Sequence, residues 1–257
     1  MPARERTYRT EAIVLRRKDF GEADRVLTLL TPEHGKLRVV AKGIRKPASR
    51  KGGHLELFTR SRLLLAKGHD LDIVTQAETV NAYRPLREDL LRGAYASYAV
   101  ELLDRLMPDE QENREMYALL RDALGWFCAA TDLALSARYY ELQLLGLAGF
   151  QPELRRCVVR GEEIVAEDQF FSAALGGAVC ARCGEARPDV MPVSLAALKH
   201  LRYFQSQSYA TAVALSVRLS VHSEIEHLML RYITSVLERQ LKSVEFLKLI
   251  RREAAAS

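Results

Sequence analysis

The first eighty residues alternate short apolar, β-branched runs with clusters of turn residues. TEAIVLRR, DRVLTLLT, KLRVVAKG, LFTRSRLLLAK and LDIVTQAETV each have the length of a strand, and their Val, Ile and Thr suit a pleated, half-buried surface. The joints at 19–21, 32–35, 47–53 and 68–70 carry the Gly, Pro and Asp that reverse a chain. Five strands in one unit predict a small barrel, of the five-stranded oligonucleotide-binding (OB) form, although a plain sheet domain would show the same pattern.

From Pro85 the period changes. Leu86, Leu90, Leu91, Ala94, Tyr98, Leu102 and Leu106 recur at three and four residues, which predicts one helix ending before Pro108. Met116, Leu119, Leu120, Leu124 and Phe127 predict a second helix, and Leu135, Tyr139, Leu142 and Leu145 a third, closed by Gly149 and Pro152. Near the C-terminus Ser223 and Glu226 have capping-box spacing ahead of Leu228, Met229, Tyr232, Ile233, Val236 and Leu237. Between these parts, 151–193 has little helical period and three cysteines, and reads as a locally held insertion. The expected class is therefore α+β and multi-domain: a barrel over 1–82, a helical domain over 83–150 and 194–257, and a cysteine-containing insertion over 151–193. The final EAAAS reads as a frayed end.

Composition refines this picture. The chain has 257 residues, 48% of them hydrophobic, enough to bury a core. Its apolar runs are short and broken by charge, and MPARERTYRTE has no apolar stretch behind its basic residues, so neither a membrane span nor a secretory leader is expected and the cytosol is the default compartment. Four unevenly spaced cysteines fit that compartment as thiols or metal ligands better than as a disulfide framework. Charge is uneven: residues 1–80 hold 17 Lys and Arg against 10 Asp and Glu, and the remainder 21 against 23. That asymmetry points to a module for polyanions joined to something else.

The densest basic stretch is AKGIRKPASRKGGH at 41–54, with Lys42, Arg45, Lys46, Arg50, Lys51 and no acid. Gly43 permits a sharp exit from the preceding strand, Pro47 stops a regular ladder, and Gly52 and Gly53 allow re-entry, so these charges belong to an exposed connector. Arg16, Arg17 and Lys18 at the end of the first strand, with Lys36 and Arg38 on the third, extend the basic set across neighbouring strands. Phosphate is the natural partner, through counterion release that is strong, sequence-blind and salt-sensitive. Single strands also use aromatic platforms, for which Tyr8, Phe20 and Phe58 are the few available, and any of them could be core instead.

CVVRGEE at 157–163 and CARCGE at 180–185 have the form of two halves of a zinc knuckle, in which Cys-x-x-Cys-Gly chelates one ion. Cys180, Cys183 and Gly184 meet that form. The other half has Cys157 and Gly161, but Arg160 stands where the fourth thiolate belongs, and a guanidinium cannot ligate. Either zinc is held by Cys157, Cys180 and Cys183 with Glu162, Glu163, Asp168 or water as fourth ligand, or packing alone holds the loop. A catalytic zinc is disfavoured, since the cluster lacks a histidine and an arranged general base. Cys128, beside Trp126 and Phe127, reads as a buried thiol. No phosphate-cradling Gly-x-x-x-x-Gly-Lys, no Gly-x-Ser-x-Gly, no His-Glu-x-x-His and no dinucleotide fingerprint is present, which disfavours an ATPase or hydrolase and implies no nucleotide cofactor.

TEAIVLRRKDFGEADRVLTLLTPEHGKLRVVAKGIRKPASRKGGHLELFT, then RYYELQLLGLAGFQPEL, then FFSAALGGAVCARCG resemble, in content and order, the RecO family of bacterial recombination mediators. The resemblance implies an OB barrel, a helical domain and a knuckle that holds zinc in some members and is degenerate in others. It also implies a non-enzymatic, nucleoid-associated protein that binds single- and double-stranded DNA, anneals complementary strands, works with RecR, contacts the tail of the single-strand binding protein SSB, and helps load RecA. By the same analogy the acidic SSB tail would dock in an apolar groove of the helical domain, with Lys199, Arg202 and Arg231 as candidates for its basic rim. Rival readings of the residues are an RNA-binding barrel of translation or ribosome assembly, a zinc enzyme acting on nucleic acid, and a scaffold whose basic face meets an acidic protein.

Overall fold

The computed structural model describes residues 6–109 and 111–256, in two compact units that divide after Ala129. The five expected strands form in the first: β1 (Thr7–Phe20), β2 (Asp24–Thr31), β3 (Gly35–Ala41), β4 (Arg60–Ala66) and β5 (Asp72–Asn81). They close into a barrel in the order β1-β2-β3-β5-β4, sealed by a short parallel pairing of Val39 and Val40 with Asp72 and Ile73. One long strand serves two neighbours. Residues 7–13 of β1 pair with β4 and residues 13–20 with β2, and a register shift between Val14 and Arg16 bends the strand from one partner to the other. Alternate positions point inward, so Val14, Leu27, Leu29, Val39, Leu63, Leu65 and Val74 fill the barrel. Each such side chain contributes roughly 1.5–3 kcal/mol by leaving water.

The same unit contains α1 (Pro85–Glu88), α2 (Leu90–Leu106) and α3 (Arg114–Ala129). The single helix expected from Leu86 is broken at Asp89, whose backbone is extended and whose carboxylate accepts the Arg92 N–H as the cap of α2. The hydroxyl of Tyr117 on α3 donates to Glu11 Oε1 on β1 at 2.7 Å, and Tyr83 donates to Arg121 O at 3.0 Å. Gly35 starts β3 in the left-handed region, φ 63°, where an added Cβ would lie 2.2 Å from Gln111 O. The connector between α2 and α3 therefore lies directly on the barrel. The sequence-derived boundary after residue 82 falls inside this compact unit, because these bonds tie the helices to the strands.

The second unit is built on α4 (Leu133–Leu147), capped by Asp132 and buried on most of its faces; the Arg138 and Glu141 side chains pair at 2.6 Å in its interior. The strands β6 (Gln169–Ser172), β7 (Gly177–Val179) and β8 (Met191–Val193) form a small sheet in the order β7-β6-β8, with α5 (Ala181–Gly184) between β7 and β8. The helices α6 (Leu195–Ser206), α7 (Tyr209–Val213), α8 (Leu219–Leu237) and α9 (Lys242–Ala256) follow, the last running through most of the stretch expected to fray. Ser223 does not cap α8. It lies one turn inside, its Oγ donating to Leu219 O at 3.1 Å, because the apolar stripe extends back through Ile225 to Val221 and carries the helix with it.

Candidate nucleic-acid interface and cysteine cluster

Register sorts the outward positions of β1, β2 and β3 into rows across the sheet. The row Ile13–Leu30–Lys36 is covered: Ile13 and Leu30 are fully buried and Lys36 is 8% exposed. The Lys36 ammonium donates to Asp104 O at 2.8 Å and Asp104 Oδ1 at 3.2 Å and meets Asp109 Oδ1 at 2.9 Å. Its charge is met within the protein, unlike the exposed cations of the rows that follow. The next rows, Arg16–Thr28–Arg38 and Lys18–Val26–Val40, run toward the tip of the β1–β2 hairpin, where Phe20 stands opposite Asp24.

The basic connector is anchored at this end. Asp24 Oδ1 accepts the Gly43 N–H at 2.7 Å and Ala23 O accepts the Arg45 N–H at 2.9 Å, so the 42–51 loop is bonded to the β1–β2 hairpin tip. Gly43 makes the exit from β3 at φ 64°, and a 3-10 turn at Gly52–Leu55 returns the chain. Ile44 and Leu55 sink into the barrel core, which leaves Lys42, Arg45, Lys46 and Arg50 exposed on a fixed loop. Lys51 is half-buried and donates to Val74 O at 2.9 Å. Arg17 falls on the inward row of Leu27 and Val39 and pairs with Glu56, while Arg45 lies 3.5 Å from Asp19 Oδ2. A hydrogen bond from Arg25, helped by the Arg45 and Arg17 charges, holds the Asp19 carboxyl below its usual range. Among the described residues Lys18, Arg38, Lys42, Lys46 and Arg50 make no side-chain ion pair.

Of the three aromatics, Phe20 is 59% exposed and stands beside this cationic surface. Phe58 is core, and Tyr8 is withdrawn: its hydroxyl donates to Asp72 Oδ2 at 2.6 Å and its ring meets His34 edge-on at 4.9 Å. Nothing along the chain marks Asp24, which fixes the loop, or Asp104, which neutralises Lys36 and also pairs with Arg16. A lone carboxylate in a hairpin or on a helix carries no motif.

The three cysteines of 151–193 converge, their Sγ atoms all within 4.8 Å of one another. Cys157 sits in a turn closed by Gly161 N–H to Cys157 O at 2.7 Å and Cys157 N–H to Glu162 O at 2.7 Å; Cys180 precedes α5 and its N–H points at Cys157 Sγ, 3.4 Å away. Burial alone would raise the Cys157 thiol, but the N–H groups of Cys180, Val159 and Arg160 aimed at sulfur together outweigh it and bring it to about 7. Burial, then hydrogen bonding to Cys180 and the neighbouring sulfur charges, push Cys183 up to about 11. Such a soft, close set can hold a metal ion. Arg160 turns to Glu162, 2.5 Å away, and Asp168 Oδ1 accepts the Leu195 N–H at 2.9 Å; among the described residues the cluster at ligand spacing consists of the three cysteines. Cys128 is half-buried, and burial raises its thiol.

A closed five-stranded barrel with a cationic outer face, joined to helices and a cysteine knuckle, defines a multi-domain protein of the OB class. The family model described as recombination protein O N terminal matches residues 5–83, and that described as recombination protein O C terminal matches 87–245. The chain belongs to the RecO family. It is 43% identical over 249 residues to the DNA repair protein RecO of Roseiflexus sp., covering 97% of this chain and 88% of that protein. To the protein of the same name from Pelotomaculum thermopropionicum it is 40% identical over 240 residues, covering 93% of each. The resemblance read from the sequence is thereby borne out. Among the described residues no helix is long and apolar enough to cross a membrane.

Proposed function

We propose that this protein is a mediator of DNA repair and homologous recombination that binds single- and double-stranded DNA, anneals complementary strands without turnover, and with RecR helps load RecA onto SSB-coated DNA. The observation that carries the nucleic-acid part is the open half of the β1–β2–β3 face, where Arg16, Lys18 and Arg38 share the outward side with an exposed Phe20 and the loop carrying Lys42, Arg45, Lys46 and Arg50 is bonded to the hairpin tip. Cations there neutralise two strands that would otherwise repel, and the ring offers a stacking platform, so complementary bases meet while sequence is left to the bases. Family membership supports the repair role and the partners. A zinc ion on Cys157, Cys180 and Cys183 would brace the knuckle and take no part in chemistry.

For the SSB tail, Arg231 lines a groove of about 340 Å³ between α8 and α9, with Leu230, Ile233 and Leu241 as apolar lining and Lys248 on the same rim. Lys199 lies exposed on another helix, and Arg202 is turned inward, its Nε donating to Leu154 O at 2.8 Å. Arg231→Glu should weaken a fluorescent acidic, apolar-ended peptide by ten-fold or more, and unchanged binding would move the docking site elsewhere.

The central test is a titration of fluorescent single-stranded DNA at several salt concentrations, comparing the wild type with Arg45→Ala/Lys46→Ala/Arg50→Ala. If three phosphate contacts are lost, the log–log slope flattens by about 2 and annealing falls with it, at roughly 0.7 per contact. An unchanged slope would relegate the loop to a solvated connector. Tighter binding of single-stranded RNA than DNA of the same sequence would favour the RNA-binding reading.

A further inference from the structure

Arg16, on the cationic face, is already paired with a carboxylate yet remains accessible. Asp104 lies in the last turn of α2, where the helix macrodipole disfavours a carboxylate, and it is only 12% exposed. Two strands supply its compensation: Oδ1 faces Lys36, and Oδ2 pairs with Arg16. These partners differ in kind. Lys36 is buried and keeps two further acceptors, Asp104 O at 2.8 Å and Asp109 Oδ1 at 2.9 Å, so it is fixed whatever the Asp104 carboxylate does. The Arg16 side chain is 52% exposed and stands in the first open row, in register with Thr28 and Arg38.

We infer that Asp104 is a resident mimic of phosphate, which holds Arg16 in the free protein and is displaced from it when a nucleic-acid backbone lies along the Arg16–Thr28–Arg38 row. The inference rests on the nucleic-acid reading of that face. The Arg16 side of this ion pair is open to water, which screens it, so exchange of one oxyanion for another on the guanidinium is easy. The consequence is a brake on affinity. A protein that brings strands together must also release the duplex, and a competing carboxylate at the border of the face lowers retention without removing the contact. Asp109, which is more exposed, pairs among the described residues with Lys36 and not with Arg16, and has no such role.

The experiment is a double-mutant cycle on the full chain with fluorescent oligo-dT at fixed salt. Asp104→Asn keeps an acceptor for Lys36 and should tighten binding by about two- to five-fold, the range an exposed ion pair supplies. In an Arg16→Gln background the same substitution should change nothing. Equal tightening in both backgrounds would mean that a negative charge was merely removed near a polyanion, and would overturn the inference; so would an unchanged affinity. Should the Asn variant fold poorly, the wild type still decides. The Arg16 Nε–H resonance, assigned by its loss in Arg16→Gln, should shift on adding oligo-dT, and a resonance unmoved at saturation would overturn the exchange. Absence of oligo-dT binding by the wild type would instead overturn the nucleic-acid reading itself, an outcome distinct from both.

Discussion

At the scale of single residues, the same chemical group is assigned opposite roles by its surroundings. Lys36 and Arg38 are two positions apart on one strand and share its outward side, yet the first is buried against Asp104 and Asp109 and the second is exposed. Lys36→Met should lower stability by about 1–3 kcal/mol, since Asp104 keeps only Arg16, while single-stranded DNA affinity at physiological salt changes less than about two-fold. Thermal unfolding and the titration check the two halves separately. Arg160 is the other residue whose identity decides a property. Arg160→Cys restores the four-thiolate form, and the variant should retain one zinc per chain against a chelator that strips the wild type, as read by metal analysis after dialysis. Retention of equal tightness by the wild type would show that three thiolates suffice.

Elements were legible in the sequence to the degree that their signal is periodic. The barrel strands alternate and the helices α2, α3 and α4 repeat at three and four residues, and both patterns arise because one face must leave water. Breaks were not legible. Asp89 interrupts the expected helix because its carboxylate caps α2, and Ser223 fails to start α8 because burial of Val221 and Ile225 outweighs a local cap. The connector over Gly35 is also a tertiary matter. Gly35→Ala places a methyl against Gln111 O and adds a side chain at positive φ, so a loss of several kcal/mol is expected, visible as a drop in thermal midpoint. Within α4, Arg138→Met leaves Glu141 buried beside an apolar chain and should cost about 3–5 kcal/mol, without altering the salt slope of DNA binding.

Over the whole molecule, the basic first third and the slightly acidic remainder were plain from counting charges, and so was the class of partner that a basic surface attracts. The family, too, was carried by residues in order along the chain, and the matched models over 5–83 and 87–245 agree with it. Sequence by itself determined the strand and helix periods, the break from strand to connector at 41–54, the missing fourth thiolate and the excess of cations, because each is a property of neighbours along the chain. Only the tertiary structure decided which cations face solvent, that Phe20 and not Phe58 stands out, and that Asp104 reaches two strands at once. Those outcomes depend on which half of the barrel face α2 and α3 cover, and burial is set by pairs of residues far apart in sequence that no local pattern encodes.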